Sequence, residues 1–144
     1  MGDDERALAD IERAIALDPN NPGHHNSRAW LLLKLGRFTD GLEAVERSLE
    51  LKPADPYATG TRCWLRASLG DEAGARLDCA HASRLLPESL LDRGMLHFLE
   101  GRPAEAAAAW REAGTKDPED VRLLAPWLAK TVAGRRTGRS GRGR

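Results

Sequence analysis

One unit of the chain decides the fold: residues 22–55, which read PGHHNSRAWLLLKLGRFTDGLEAVERSLELKPAD. Its closing proline, Pro53, is one of three such stops that fall 34 residues apart, with Pro19 before it and Pro87 after it. A period in the thirties is typical of stacked copies of one small unit, each unable to bury its apolar face alone. The sequence therefore predicts a repeat array and argues against most enzyme folds.

Each unit has the pattern of two helices joined by a short turn. On both sides of Gly36, apolar residues follow the three-to-four spacing of an amphipathic helix. A glycine at that place suits a helix end, where a left-handed backbone is needed. Strict apolar–polar alternation, the mark of a half-buried strand, is absent from the sequence. The sequence predicts an all-α array of antiparallel helix pairs.

The repeated unit resembles the tetratricopeptide repeat (TPR), which sets defined residue types at fixed intervals between successive prolines. In residues 22–55 the matching positions are His25, Arg28, Ala29, Leu32, Gly41, Val45 and Pro53. The second unit matches through Thr59, Arg62, Cys63, Arg66, Ala75, Cys79 and Pro87. The third matches through Leu90, Arg93, Gly94, His97, Ala106, Trp110 and Pro118. Arg66 and His97 replace the family's usual aromatic residue and Gly41 its usual alanine, so we expect looser packing there.

The resemblance implies an αα-hairpin solenoid, a right-handed superhelix with a defined order of parts. These parts are an N-terminal half repeat at 1–21, three repeats at 22–55, 56–87 and 88–119, a capping helix at 120–133 and a tail at 134–144. The tail consists of Gly, Arg, Ser, Thr and no apolar residue, a composition that predicts disorder.

In the TPR family the first helices of successive repeats line a concave groove that holds extended or helical peptides. The resemblance therefore implies a non-catalytic protein-interaction scaffold or adaptor. The matching positions here are Asn26, Trp30, Leu33, Lys34, Tyr57, Thr61, Trp64, Ser68, Met95 and Phe98.

Large apolar side chains recur along this groove. Trp30 and Trp64 hold equivalent places and Met95 holds the third, so we expect a row of uncovered apolar groups that binds apolar side chains. The alternative is that these groups pack on neighbouring helices. Glu88 and Asp92 would repel a carboxylate, which predicts an apolar or basic peptide.

Three arginines recur at one helix position and predict structural ion pairs rather than ligand contacts. Pairing with the preceding unit matches Arg28 with Asp10 and Arg93 with Asp78. Arg62 lacks such a partner and is expected to reach Asp78 within its own unit.

Other reactive residue types give no sign of chemistry. Cys63 and Cys79 are expected to face each other across the helix pair of the second unit. A disulfide is geometrically possible, but we expect reduced thiols that fill space, because cytoplasmic thiols stay reduced. The four histidines lack metal-ligand spacing, and no nucleophile elbow or phosphate loop occurs. We expect no metal, no cofactor and no enzyme activity.

Charge and the two ends of the chain leave alternatives open. The 22 basic and 22 acidic residues balance, yet the tail at 134–144 carries five arginines and no acid. RNA or ribosome association through this tail is one alternative function.

The second alternative is self-association through residues 1–21, a second helix without the first helix that would cover it, unless an upstream portion is missing. The sequence has no membrane-length apolar run and no apolar signal segment, which predicts a cytoplasmic chain without membrane contact.

Overall fold

The computed structural model describes residues 2–116 and 123–131, and within these ranges the chain forms helices, turns and short connections but no strand. The helices bounded within the first range are α1 Gly2–Leu17, α2 Pro22–Lys34, α3 Phe38–Leu51, α4 Pro56–Ser68, α5 Glu72–Leu85, α6 Leu90–Leu99 and α7 Pro103–Lys116. Residues 123–131 form a further helical segment, α8. The predicted all-α hairpin fold is confirmed. The predicted tail at 134–144 lies outside the described residues.

The helices pack as hairpins that stack on one another. Helix α2 packs on α3, α4 on α5 and α6 on α7, and successive hairpins meet through α3–α4 and α5–α6 contacts. The chain reverses at a glycine with positive φ, which is 77° at Gly36, 86° at Gly70 and 76° at Gly101. Only glycine adopts this backbone without steric cost. Each glycine therefore fixes where the first helix of its hairpin ends.

The first helices of the first two hairpins begin at an Asx-Pro pair. Asn21 Oδ1 accepts a hydrogen bond from the Gly23 amide at 2.9 Å, and Asp55 Oδ1 accepts one from the Tyr57 amide at 3.0 Å. The proline that follows each cap loses no hydrogen bond, because the first amide of a helix has no partner inside it. The pairs therefore end one hairpin and start the next.

Gly41 and Gly94 mark tight packing between helices. A Cβ at Gly41 would lie 2.7 Å from Leu65 Cδ2, and one at Gly94 would lie 2.3 Å from Trp110 Nε1. The expectation of looser packing at Gly41 is wrong, because the missing methyl group lets the Leu65 side chain approach.

The core runs along the array as one continuous cluster rather than a central ball. It includes Leu8 of α1, Leu32 and Val45 of the first hairpin, Trp64 of the second and Trp110 of the third. Such an array is held together by contacts between nearest neighbours. Among the helices that the structure describes, none is long and apolar enough to cross a membrane.

Candidate functional site

The first helices of the three hairpins build one shared surface. Helices α2, α4 and α6 contact one another in sequence, and we call the surface that they form the inner face. All ten residues predicted to bind a peptide belong to these three helices. The structure separates them into residues that line an open pocket and residues that are buried or covered by α8.

The open pocket has a volume of about 560 Å³ and contains four of the predicted residues. They are Asn26, Trp30, Tyr57 and Thr61, joined by Ile11, Ser27, Leu31, Leu86, Ser89, Leu91 and Asp92. Tyr57 is 63% exposed, whereas Trp30 is half-buried. The Thr61 hydroxyl already donates to the Tyr57 carbonyl at 2.9 Å. The pocket is therefore a mostly apolar hollow with an accessible aromatic ring.

Asp92 supplies a carboxylate to this pocket. The residue is 8% exposed, and its Oδ2 accepts a hydrogen bond from the Ser89 hydroxyl at 3.0 Å. Burial raises the pKa of the Asp92 carboxyl, and the hydrogen bond from Ser89 opposes that rise without cancelling it. The Cβ of any larger residue at Gly60 would lie 2.7 Å from Asp92 Oδ2, so glycine makes room for the carboxyl group.

Asn26, which also lines the pocket, carries a second acceptor. Asn26 Oδ1 is buried and has no hydrogen-bond donor among the residues that the structure describes. Buried acceptors without a donor are rare, because each loses the hydrogen bonds that water would give it. Asn26 and Asp92 thus give the pocket two acceptors on apolar walls.

The remainder of the inner face lies beneath or beside α8. A cavity of about 250 Å³ has Leu33, Lys34 and Ser68 on one side, and Leu123, Pro126, Trp127 and Lys130 of α8 on the other. Lys34 pairs with Asp4 of α1 at 3.5 Å, and the Ser68 hydroxyl donates to the Trp64 carbonyl at 2.8 Å. These two polar side chains therefore already serve contacts within the chain.

Four aromatic rings form a cluster where α8 meets the array. The Trp127 ring centroid lies 5.8 Å from that of Trp64, 5.4 Å from that of Phe98 and 6.4 Å from that of Trp110. Its contacts with Trp64 and Phe98 are edge-to-face, a geometry that contributes about 0.5–1.5 kcal/mol per pair beyond area burial.

The expectation that Trp64 and Met95 stand uncovered is wrong. Both side chains are fully buried, and Leu33 is buried as well. Trp64 contacts the rings of Trp110 and Trp127, from α7 and α8. Trp64, Met95 and Leu33 thus follow the alternative interpretation, packing on neighbouring helices. Among the equivalent positions Trp30, Trp64 and Met95, only Trp30 borders the open pocket.

Asp78 binds two arginines of its own hairpin. Arg62 donates from Nε and Nη2 to the two carboxylate oxygens, each at 2.9 Å, and Arg66 donates from Nη1 at 2.8 Å. Arg66 thus replaces the family's aromatic residue with an ion pair, which the sequence analysis missed. The signal was available, because Arg62 and Arg66 are one helical turn apart and face the same carboxylate.

The other two predicted ion pairs do not form. Arg28 lies 3.6 Å from Glu12, while Asp10 pairs with Arg13 on the same exposed side of α1. Arg93 is exposed and donates to the Pro87 carbonyl. It does not pair with Asp78, whose oxygens are already occupied from α4.

Cys63 and Cys79 lie opposite each other within the second hairpin and form a disulfide, with a Cα–Cα distance of 5.3 Å. The sequence analysis expected two reduced thiols that fill space, whereas the structure has them joined in a disulfide. The bond links α4 to α5 beside the Arg62–Asp78 pair, which lies one residue away on each helix. In residues 2–116 and 123–131, no group of three or more His, Cys, Asp or Glu could hold a metal ion.

Comparisons with known proteins agree with this architecture. A family model described as Tetratricopeptide repeat matches residues 1–56. A thermophilic TPR protein of Thermus thermophilus superposes with a TM-score of 0.65 at 21% identity, over 92% of this chain and 74% of that chain. A tetratricopeptide repeat protein from Parabacteroides merdae gives a TM-score of 0.63 at 21% identity, over 98% of this chain and 55% of its own length. No curated protein sequence matches the chain significantly.

The chain thus has the fold of tetratricopeptide-repeat proteins, and residues 1–56 match the model of that family. The present sequence spans little more than half of the Parabacteroides protein.

Proposed function

We propose that the open pocket holds a peptide segment of a partner protein and that the chain acts as a non-catalytic scaffold or adaptor. The observation that carries this proposal is an unfilled, largely apolar hollow on the face shared by the hairpins, with Trp30 and Tyr57 at its border. Its volume of about 560 Å³ falls within the range of ligand pockets. Aromatic side chains in such hollows commonly supply most of the binding energy.

The chemistry of the pocket selects an apolar or basic segment. Its apolar walls, such as Ile11 and Leu91, fit aliphatic or aromatic side chains. The Asp92 carboxylate and the Asn26 carbonyl oxygen accept hydrogen bonds and favour a lysine or arginine over an acid. A cation next to Asp92 would also offset the cost of burying that carboxylate.

A displayed random-peptide library, selected on the immobilised full chain, tests the proposal. Selected peptides should be rich in apolar and basic residues, and their affinity for Trp30→Ala should fall roughly tenfold or more, since a central aromatic residue contributes at least about 1.4 kcal/mol. Trp64→Ala is unsuitable, because Trp64 belongs to the core. The matched control is Leu77→Ala, at a 73% exposed position on α5.

Two further measurements sharpen the outcome. Asp92→Asn should weaken basic peptides more than purely apolar ones. Peptides that bind the wild type and Trp30→Ala equally well would overturn the assignment to the open pocket. Self-association through residues 1–21 and nucleic-acid binding through residues 134–144 stay predictions, and light scattering and tail deletion test them.

The oxidation state of the Cys63–Cys79 pair in the cell indicates the compartment of the chain. Disulfides persist in oxidising compartments and are rare in the cytoplasm. A Cys63–Cys79 disulfide that persists in the cell would therefore favour an oxidising compartment over the cytoplasmic location predicted from the sequence. Alkylation of thiols in intact cells before lysis distinguishes an oxidising compartment from the cytoplasm. If both cysteines are alkylated, the pair is reduced in the cell, and the cytoplasmic prediction is supported.

A further inference from the structure

Helix α8 reaches beyond the last hairpin, because it contacts the third and second hairpins and shares a cavity with the first. Trp127 touches Phe98 and Trp110 of the third hairpin and Trp64 of the second. Other α8 residues border Leu33 of the first hairpin across the smaller cavity. A helix that only sealed the end of the array would contact the third hairpin alone. Helix α8 instead crosses the inner face.

The helix has the residue pattern of a bound amphipathic peptide. Leu124, Trp127 and Thr131 are buried, at the spacing with which docked helices place their anchors. Ala125 and Ala129 are exposed on the opposite side. A helix as short as residues 123–131 is unstable alone in water. Its helical form therefore depends on the surface on which it packs.

The tie to α7 gives α8 an advantage over any free helix. Residues 117–122 connect the two helices, and a short connection keeps a segment at millimolar effective concentration beside its site. A moderate intrinsic affinity then suffices for almost complete occupancy.

We propose that α8 is a resident occupant of a docking surface on the inner face, and that a partner's amphipathic helix displaces it. The partner helix places an aromatic side chain against Trp64 and Phe98, as Trp127 does, with an aliphatic residue one turn earlier, as Leu124 does. This proposal rests on the scaffold function but concerns a separate surface from the open pocket. Binding there therefore does not depend on Trp30.

The test uses a synthetic labelled peptide with the sequence of residues 120–133, DVRLLAPWLAKTVA, added to the full chain. Trp127→Ala in the chain removes the resident anchor, so this variant should bind the peptide roughly tenfold or more tightly than the wild type, whose α8 competes. A second variant, Ala129→Pro, breaks α8 at an exposed position and leaves every side chain of α2 to α7 unchanged. It should bind the peptide in the same way.

Controls distinguish specific docking of the peptide from non-specific binding. The peptide with its own tryptophan replaced by alanine should bind neither variant, and Leu77→Ala should behave as the wild type. Peptide binding should raise the melting temperature of the two α8 variants, since a ligand of the folded state stabilises it. The double variant Trp30→Ala/Trp127→Ala should still bind the peptide, so a failure of the open-pocket assignment remains distinguishable.

Three results would overturn the proposal. Equal affinity of the wild type and both variants for the peptide would show that α8 does not compete with the peptide for the surface. If both variants are unfolded and the peptide does not restore their fold, α8 is an integral part of the core. A wild-type dimer by light scattering that Trp127→Ala abolishes would assign the surface to α8 of a second copy instead.

Discussion

Replacement of Asp78 by asparagine tests the energetic centre of the second hairpin. The Asp78 side chain is 7% exposed and accepts three hydrogen bonds from Arg62 and Arg66. Asparagine keeps the size of the side chain and one acceptor oxygen, so no cavity opens. The substitution removes the charge and leaves both guanidinium groups without their carboxylate.

The expected loss of stability follows from the burial of the three groups. Removing one partner of a fully buried ion pair costs about 3–5 kcal/mol, since the other charge stays uncompensated. Arg62 and Arg66 keep 27% and 26% of their side-chain surface exposed, so water partly replaces Asp78. We therefore expect a loss of about 2 kcal/mol, which for a chain of this size lowers the melting temperature by about 8 °C.

Urea unfolding followed by circular dichroism measures this loss, with Asp10→Asn as the matched control. Asp10 also pairs with an arginine, Arg13, but both side chains are largely exposed, so its replacement should cost under about 0.5 kcal/mol. A double-mutant cycle with Arg66→Met should return a coupling energy of about 1 kcal/mol. Equal losses for Asp78→Asn and Asp10→Asn would refute the reasoning that burial makes this pair strong.

Three other predictions concern packing, the disulfide and pH. Gly94→Ala should destabilise the chain by about 1–3 kcal/mol despite alanine's better helix propensity, because its Cβ would lie 2.3 Å from Trp110 Nε1, and a stability gain would contradict the packing. Reduction of the disulfide, which joins residues 16 positions apart, should cost about 3 kcal/mol; superimposable melting curves with and without reductant would contradict this. Asp92→Asn should stabilise the chain at neutral pH. The folded chain holds the Asp92 proton more tightly than the unfolded chain, so wild-type stability falls as pH rises from the ordinary pKa of 3.8 through the raised value. The advantage of asparagine should vanish below that window, and an advantage independent of pH would exclude the ionisation of Asp92 as its cause.

The hairpins could be predicted from the sequence because their signals are local. The Asx-Pro starts and the glycine turns act over a few residues; the starts lie 34 residues apart, and the turns lie 34 and 31 residues apart. The disulfide partners could also be placed opposite each other from the position of Gly70. Their oxidation state could not, because it depends on the compartment rather than on the fold.

The candidate site could be predicted only in part, because it depends on contacts between distant segments. Trp30 and Trp64 are equivalent in the repeat, yet Trp30 borders a pocket and Trp64 is buried. The difference comes from Trp127, more than sixty positions from Trp64 along the chain, and no repeat pattern predicts where α8 lies. The Arg28–Asp10 prediction failed similarly, since Glu12 rather than Asp10 reaches Arg28.

The covalent link between α4 and α5 has a mechanical consequence. Tension applied to the two ends of the chain could extend the first and third hairpins fully, whereas the 16-residue separation bridged by the disulfide would stay closed. At about 3.5 Å per extended residue, and with 5.3 Å still spanned by the bond, the oxidised chain would stretch about 50 Å less than the reduced one. Pulled in a cell or with optical tweezers, the scaffold would thus keep one short loop that force cannot open.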